Sequence, residues 1–368
     1  MMWEGAPATV GQLLALGKRS LATRHGEFDL VVARCLQDQK HVLALSMGDL
    51  RGEEPVLARV HSSCVTSESY GGCDCDCVEQ LGLALKAVAA RGRGVVFYLM
   101  QEGRGAGFLA KARDRMMVQA SGNRIDTFEA YEQMALPHDL RSYEEVGWMA
   151  KLLGLDAPLE LLTNNPEKAR GVASSAGCPV VATQSLDGQA SPWNRDYLAS
   201  KSRSGHGLED PGFLDGAALP GPVEAFEPYC LPGQNRFVRV ASYFLPVRDF
   251  GTAAAAANSV CWFRLHAYLD LEERAAKVLL ALDEEAGGTP QWHVQGETLL
   301  RRFPLAACQP DSWAAKRAGV SAGGPALIGF VAPRGFSAAL TEVPGDPEGI
   351  EALMELHLAH PRRDPCRS

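Results

Sequence analysis

The chain has 368 residues, which is long enough for two domains, and its 46% hydrophobic and 22% charged residues are ordinary for a globular protein. A formal net charge of −8 argues against a general nucleic-acid-binding protein, since such proteins need a basic surface. The N-terminal segment lacks the pattern of a secretory signal and no apolar run reaches membrane-spanning length, so we expect a cytoplasmic protein without a membrane partner.

From the N-terminus to about residue 205, strand and helix patterns alternate, which predicts an α/β or α+β domain with a mixed sheet. A helix is predicted after the cysteine-rich segment at residues 64–77, with Gly92 as its stop. The apolar run at residues 95–100 predicts a strand, and a glycine-rich loop connects it to a helix predicted over residues 108–120.

Further along, Ser142 and Glu145 predict a capping box at the start of another helix. Residues 159–163 predict a buried strand, and Asn165 followed by proline predicts the N-cap and first position of the next helix. Gly177 is expected to end that helix before a further strand.

The composition changes at residues 206–228, which are rich in glycine, proline and aspartate and predict a linker. Residues 229–368 predict a smaller α+β domain whose role the sequence does not indicate. Within it we expect strands over 259–269 and 325–333, and helices over 271–287 and 346–360.

Three cysteines provide the strongest chemical signal. Cys64, Cys75 and Cys77 form a C-x10-C-x-C pattern without a neighbouring fourth ligand. Catalytic zinc is typically held by three protein ligands and keeps one coordination position open. The spacing also fits buried thiols, or a structural site whose fourth ligand is distant or is Cys73.

Four polar clusters in the same region are candidates for ligand binding. The loop Glu102–Gly107 lies between a strand and a helix, where backbone N–H groups favour anions. Asp139 and Arg141 are two residues apart and could point into one site. The other two clusters are Thr163, Asn164 and Lys168 after a strand, and Arg59, Val60, His61 and Ser62 before the first cysteine.

Together these segments resemble GTP cyclohydrolase II, the enzyme that opens the guanine ring at the start of riboflavin biosynthesis. The resemblance extends over roughly residues 18 to 208 and includes PVLARVHSSC, CDCVEQL, GRGVVFYLMQEGRGAGFLAKAR, DTFEAYEQMALPHDLRSY and LLTNNPEKA. It implies that this part, residues 1–205, is a mixed-sheet catalytic domain of the GTP cyclohydrolase II kind.

The resemblance also implies roles for individual residues. Cys64, Cys75 and Cys77 would bind zinc, which would activate water for attack on C8 of the purine. Arg141 would act at the α-phosphorus, with Asp139 as its proton-accepting neighbour. Magnesium would bridge the triphosphate, and the protein would be a homodimer. The positions implied in nucleotide binding are Arg59, His61, Ser62, Ser63, Gln80, Glu102, Gly103, Arg104, Thr127, Thr163 and Lys168.

Three positions depart from the family pattern. Arg115 stands where the family has an active-site tyrosine, Ser63 where it usually has glutamate, and Asp74 where arginine is common. Arginine cannot transfer a proton near neutral pH. Arg115 at a catalytic position therefore suggests a reaction that stops at the formamidopyrimidine product, or a different substrate.

Three hypotheses follow for the function. The first is a GTP cyclohydrolase II-type hydrolase acting on GTP. The second is a paralogue that opens a uracil or modified purine nucleotide in catabolism or secondary metabolism. The third is a non-catalytic nucleotide-binding module that retains zinc for structure. The presence of Asp139, Arg141 and Lys168 argues against the third hypothesis.

Overall fold

The structure is a computed structural model that describes residues 9–212, 219–230, 237–248, 260–271, 275–282, 326–331 and 337–338. Among these residues, no helix is both long enough and apolar enough to cross a membrane.

The larger of two sheets is mixed, as the sequence predicts. Its strand order is β1-β2-β3-β4-β6-β5-β7-β8. Strands β1 to β4 and β6 pair antiparallel in that order, whereas β6, β5, β7 and β8 are parallel. The strands are β1 (Thr9–Val10), β2 (Leu13–Thr23), β3 (Gly26–Cys35), β4 (His41–Met47), β5 (Val56–Ser62), β6 (Gly94–Leu99), β7 (Leu159–Leu162) and β8 (Val180–Gln184).

The helices follow the sequence predictions closely. The predicted helix over 108–120 is present, and the helix after the cysteines ends at Gly92, whose φ of 70° is left-handed. Asn165 caps its helix by accepting hydrogen bonds from two backbone N–H groups. The helices are α1 (Val65–Glu68), α2 (Cys77–Arg91), α3 (Phe108–Ala120), α4 (Thr127–Gln133), α5 (Glu144–Leu153), α6 (Pro166–Ser175) and α7 (Arg195–Arg203), with a 3₁₀ turn at Gly103–Gly105.

Two predictions for the first half are wrong. The alternation of strands and helices does not extend to residues 9–62, which form only strands, because antiparallel neighbours joined by short turns need no crossover helix. The capping box at Ser142 is also absent: Tyr143 is the N-cap of α5 and makes no side-chain cap bond. A capping box forms instead at α4, between Asp126 and Glu129.

The second sheet is antiparallel and has the order β14-β13-β12-β11-β10-β9. It confirms the strands predicted over 259–269 and 325–333. The helix predicted over 271–287 is wrong, because residues 275–282 form a strand between two partner strands, whose pairing overrides local helix propensity. The helix predicted over 346–360 lies outside the described residues. The strands are β9 (Tyr229–Cys230), β10 (Phe237–Arg248), β11 (Val260–Asp270), β12 (Ala275–Leu282), β13 (Ala326–Val331) and β14 (Ser337–Ala338).

Alternate residues of the main sheet face two hydrophobic clusters. Val56, Ala58 and Val60 of β5 pack with residues of α5 and α6, whereas Leu57 packs with residues of α2 on the opposite face. The parallel strands β5 and β7 therefore lie in the interior, and both end at the same edge of the sheet. Ligand sites in α/β folds commonly form at such an edge.

The second sheet packs against α3 and the cysteine-rich segment. Phe108 and Met116 of α3 share a buried cluster with Tyr243, Leu245 and other residues of β10 and β11. The backbone N–H of Cys73 donates to the carbonyl of Pro246 at 2.8 Å. Residues of the C-terminal half thus reach the segment that carries the three cysteines, while the domain boundary at 206–228 stays a prediction.

Candidate active site

The three cysteines of the C-x10-C-x-C pattern converge after β5 and before α2. The sulfur atoms of Cys64, Cys75 and Cys77 all lie within 4.8 Å of one another, and the Sγ atoms of Cys64 and Cys75 are 3.6 Å apart. Cys73 is directed elsewhere, because its thiol donates to the Pro246 carbonyl at 3.2 Å. Cys64 and Cys75 are buried and Cys77 is partly exposed, and three sulfurs in this arrangement fit the donor set and open coordination of catalytic zinc.

A buried ammonium group lies beside this cluster. The Nζ atom of Lys111 donates to Cys64 Sγ at 3.0 Å, to Thr66 Oγ1 at 2.9 Å and to Glu102 Oε1 at 2.7 Å. Hydrogen bonds with Cys75 and Cys77, together with the charge of Lys111, hold the pKa of Cys64 well below its usual value. The thiolate is the form that binds metal, so these contacts favour metal binding.

A cavity of about 500 Å³ opens next to the cluster, and Cys77 lines it. It lies where β5 and β7 end, at the edge of the parallel part of the sheet. Among the described residues that line this cavity, arginines and lysines outnumber aspartates and glutamates, which favours an anionic ligand. The predicted residues that line it are Arg59, His61, Ser62, Gln80, Arg104, Asp139, Arg141, Thr163, Asn164 and Lys168.

Two cations are buried deep in the pocket wall. Arg59 donates to the Leu162 carbonyl at 2.8 Å and to Gln80 Oε1 at 2.6 Å. Lys168 donates to the Val60 carbonyl at 3.0 Å. Burial lowers the pKa of Arg59 to about 10, and burial together with the charges of Arg141 and Arg59 lowers that of Lys168 well below its usual value. A bound anion in the pocket would offset the repulsion between these positive charges.

Asp139 and Arg141 share the pocket, as their spacing suggests. Arg141 Nε donates to Asp139 Oδ1 at 2.9 Å, and Arg141 Nη2 pairs with Asp139 Oδ2. Burial alone would raise the pKa of Asp139, but the Arg141 guanidinium holds it below the usual value. Asp139 is therefore ionised at neutral pH and fixes the orientation of Arg141.

Other predicted positions lie outside the pocket lining. The Glu102 carboxylate contacts Lys111 and accepts from the Val65 N–H at 2.8 Å. The carbonyl of Gly103 accepts from the Tyr131 hydroxyl at 2.8 Å. Neither residue lines the cavity, and both make their contacts within the protein. The remaining positions in this group are Ser63, whose N–H donates to the Leu99 carbonyl, and Thr127, whose hydroxyl donates to Asp114.

Arg115 and Asp74, two of the three departures from the family pattern, contact each other. Arg115 Nε lies 3.3 Å from Asp74 Oδ2, and both side chains are almost fully buried. The Arg115 guanidinium also lies over the ring of Tyr197, 4.5 Å from its centroid. The two unusual charges thus neutralise each other next to the cysteine cluster.

Several pocket residues were not singled out from the sequence. Tyr197, Lys201 and Arg203 of α7 line the cavity, as does His206 just after it. Burial, together with the charges of Lys201 and Arg141, lowers the pKa of His206 to about 4. A signal was available, since Tyr197 and Lys201 are four residues apart and share one helix face.

Comparison with known proteins supports the resemblance. The sequence profile of the family GTP cyclohydrolase II matches residues 15–184. The chain is 40% identical over 187 residues to the GTP cyclohydrolase-2 of Hahella chejuensis, with 50% of this chain and 88% of that protein covered. It is 39% identical over 196 residues to the GTP cyclohydrolase-2 of Yersinia pseudotuberculosis, with 53% of this chain and 97% of that protein covered.

Longer relatives match over the same region. The chain is 41% identical over 188 residues to the riboflavin biosynthesis protein RibBA of Bacillus cytotoxicus, a match that covers 51% of this chain and 46% of that protein. The match therefore spans about half the length of such relatives. Among solved structures, RibBX, a two-domain 3,4-dihydroxy-2-butanone 4-phosphate synthase from A. baumannii, covers 48% of this chain and 41% of its own at 14% identity. Its TM-score of 0.28 is too low to bear on the fold.

Proposed function

Because the chain belongs to the GTP cyclohydrolase II family, we propose that it is a zinc-dependent hydrolase that opens the ring of a purine nucleotide, with GTP as substrate and C8 as the carbon attacked. The observation that carries this proposal is that Cys77 belongs both to the three-sulfur cluster and to the cationic pocket. When bound to Cys64, Cys75 and Cys77, zinc would supply a Lewis acid that activates water for this attack.

The pocket wall supports a nucleoside triphosphate as the ligand. Its volume of about 500 Å³ is within the usual range for small-molecule sites. Arg59, Arg141 and Lys168 would contact phosphate oxygens, and a magnesium ion would accompany the triphosphate. Because Arg141 is protonated and paired with Asp139, we favour phosphate contact over covalent attack for this side chain.

The remaining positions are proposed to contribute around this centre. His61, Ser62, Gln80, Arg104 and Thr163 would contact the nucleotide from the pocket wall, where they lie. The four positions that do not line the cavity would hold nearby segments of the protein in place through their own hydrogen bonds: Ser63, Glu102, Gly103 and Thr127.

A second candidate function is supported by the Asp74–Arg115 ion pair. It puts paired charges where the family is expected to have arginine and tyrosine, which changes the hydrogen-bonding groups near the cysteines. The protein would then open a uracil or modified purine nucleotide. If GTP is the substrate instead, the same change of groups would leave the formyl group on the ring-opened product, and no formate would be released.

Turnover assays separate these candidates. Zinc-loaded protein would be incubated with GTP and Mg²⁺, and separately with UMP and uridine, while purine or pyrimidine absorbance and formate release are followed. We expect loss of the guanine absorbance. Loss of the pyrimidine chromophore without any reaction of GTP would replace the first candidate with the second.

Metal dependence can be tested at one ligand. We expect the substitution Cys75→Ser to remove both bound zinc and activity, because two thiolates cannot hold the ion as three do. Metal content by atomic absorption and turnover are measured on the same preparation. Cys230→Ser is the matched control, since this exposed thiol lies in β9 outside the cluster. Full activity of Cys75→Ser would contradict the role of zinc.

A homodimer and a cytoplasmic location remain part of the proposal. Light scattering coupled to size-exclusion chromatography would measure the oligomeric state, and a mass near 79 kDa, about twice the 39.5 kDa of one chain, is expected. A mass of one chain at micromolar concentration would contradict the dimer.

A further inference from the structure

The ring of Tyr197 lies against two cations. The guanidinium carbon of Arg115 lies 4.5 Å from the centroid of its ring, and the Nζ atom of Lys201 lies 4.4 Å from it. Cations at these distances are attracted by the electron-rich face of an aromatic ring. The ring is therefore held by electrostatic contacts as well as by packing.

Both cations are anchored to the segment that carries the cysteines. Arg115 pairs with Asp74 at 3.3 Å, and Lys201 pairs with Asp76 at 2.9 Å. These two carboxylates belong to the residues on either side of Cys75. Two ion pairs thus connect the Tyr197 ring to the backbone that presents the metal-binding sulfurs.

The hydroxyl of Tyr197 is available to a ligand. Tyr197 lines the 500 Å³ cavity together with Cys77. The hydrogen bonds made by the described residues include none to this hydroxyl, whereas Tyr98 donates to Glu68 at 2.5 Å and Tyr131 donates to the Gly103 carbonyl at 2.8 Å. Among the described residues that line the cavity, Tyr197 is the one tyrosine.

Hydrolytic ring opening requires a proton at the nitrogen that leaves. Water adds its hydroxyl to the ring carbon, the bond from that carbon to nitrogen breaks, and the nitrogen takes up a proton. Arg115 cannot donate this proton, because guanidinium remains charged in proteins. A tyrosine hydroxyl, whose ordinary pKa is about 10, carries a proton at neutral pH and can act as a general acid.

We propose that Tyr197 is a catalytic residue: its hydroxyl contacts the base of the bound nucleotide and donates the proton to the departing ring nitrogen. The proton lost by the attacking water then restores the phenol, so that one water is added across the bond. Arg115, Asp74 and Lys201 act as positioning residues for the ring. This inference rests on the proposed nucleotide ring opening and assigns its proton donor.

The test is the substitution Tyr197→Phe in the full-length, zinc-loaded protein with GTP and Mg²⁺. It retains the ring that contacts Arg115 and Lys201 and removes only the hydroxyl. We expect kcat for ring opening to fall by about 100-fold or more, the usual contribution of a general acid. KM should change less than about twofold and zinc content should be the same, because phosphate and metal contacts remain.

Two further measurements distinguish a catalytic from a structural role. Saturation with GTP should change the near-ultraviolet tyrosine absorbance of the wild type. The same change should be missing in Tyr197→Phe, because this variant lacks the phenol that would contact the base. Tyr229→Phe is the matched control, since its hydroxyl accepts from Arg239 in the second sheet at 3.0 Å. Its kcat and absorbance change should equal those of the wild type.

Different results would reject different conclusions. A Tyr197→Phe variant with kcat within about threefold of an active wild type would overturn this inference and leave the proposed function intact. A variant that loses zinc or GTP affinity in parallel with activity would also overturn it, since Tyr197 would then serve the fold. A wild type that does not open GTP would overturn the proposed function, and the inference with it.

Discussion

The Asp74–Arg115 ion pair shows at the residue scale how one buried charge constrains another. Both side chains are about one-tenth exposed. If one partner were removed, the other charge would remain buried without a counter-charge, and the loss of its hydration would destabilise the folded protein. We expect Arg115→Gln to lower the free energy of unfolding by about 3–5 kcal/mol, as for a broken buried pair. Urea denaturation followed by circular dichroism measures this change.

The double variant Asp74→Asn with Arg115→Gln is the control for this prediction. Because it removes both charges together, it should recover most of the stability lost in Arg115→Gln. If the loss of unfolding free energy in the double variant equalled the sum of the losses in Asp74→Asn and Arg115→Gln, the two charges would not be coupled.

His206 gives a pH-dependent contribution to stability. Its pKa is lowered to about 4 in the folded protein, from an ordinary value of 6.5, by burial and by neighbouring cations. Between pH 6.5 and 4 the unfolded chain binds the proton more readily, so the free energy of unfolding must fall as pH decreases through this range. Above pH 6.5 the contribution of His206 is constant.

The substitution His206→Asn should therefore reduce the slope of unfolding free energy against pH between about 6.5 and 5. Urea denaturation of wild type and variant in matched buffers measures both slopes, and contributions from other titrating groups cancel in the comparison. Identical slopes would contradict a lowered pKa for His206.

At the scale of elements, the contact of α3 with β10 depends on a specific pair of hydrogen bonds. Gln119 Nε2 donates to the Phe244 carbonyl at 2.7 Å, and the Phe244 N–H donates to Gln119 Oε1 at 2.8 Å. The Gln119 side chain thus continues the backbone pairing of β10. This contact connects α3, which lies within the residues 15–184 matched by the family profile, with the second sheet.

Gln119→Ala should lower the free energy of unfolding by about 1–3 kcal/mol, because both backbone groups of buried Phe244 lose their partner. Gln133→Ala is the control: this exposed residue ends α4 and should change stability by less than about 0.5 kcal/mol. Equal effects of the two substitutions in urea denaturation would show that the contact contributes nothing specific.

The elements themselves were predictable where local signals decided them. Asn165 and the following proline define the start of α6, and Gly92 defines the end of α2, because caps act within one helical turn. Residues 275–282 were misassigned, because their strand form depends on partners from β11 and β13 that are distant in the sequence.

On the scale of the whole molecule, the second sheet covers apolar surface of the part of the chain that matches the family profile, residues 15–184. Phe108, Ala112 and Met116 of α3, together with Tyr70, are buried in one cluster with β10 and β11. The match to the family profile ends at residue 184, before this sheet begins at Tyr229. The added residues are therefore part of the hydrophobic core around the cysteine-rich segment.

A fragment of residues 1–212 should consequently expose an apolar patch and unfold at a lower temperature than the full chain. Differential scanning calorimetry and binding of a hydrophobic dye would measure both effects. A fragment with the same melting temperature and no dye binding would instead support independent domains joined by the predicted linker at 206–228.

The sequence by itself determined the family, the mixed sheet and the three-cysteine cluster, because these depend on short motifs with fixed residue types and spacing. Only the tertiary structure decided which side chains meet. Arg115 and Asp74 are 41 positions apart, and α7, which carries Tyr197, begins after the residues 15–184 that match the family profile. The ion pair between Asp74 and Arg115 and the contact of Arg115 with Tyr197 result from how distant segments pack, and no local pattern encodes such packing.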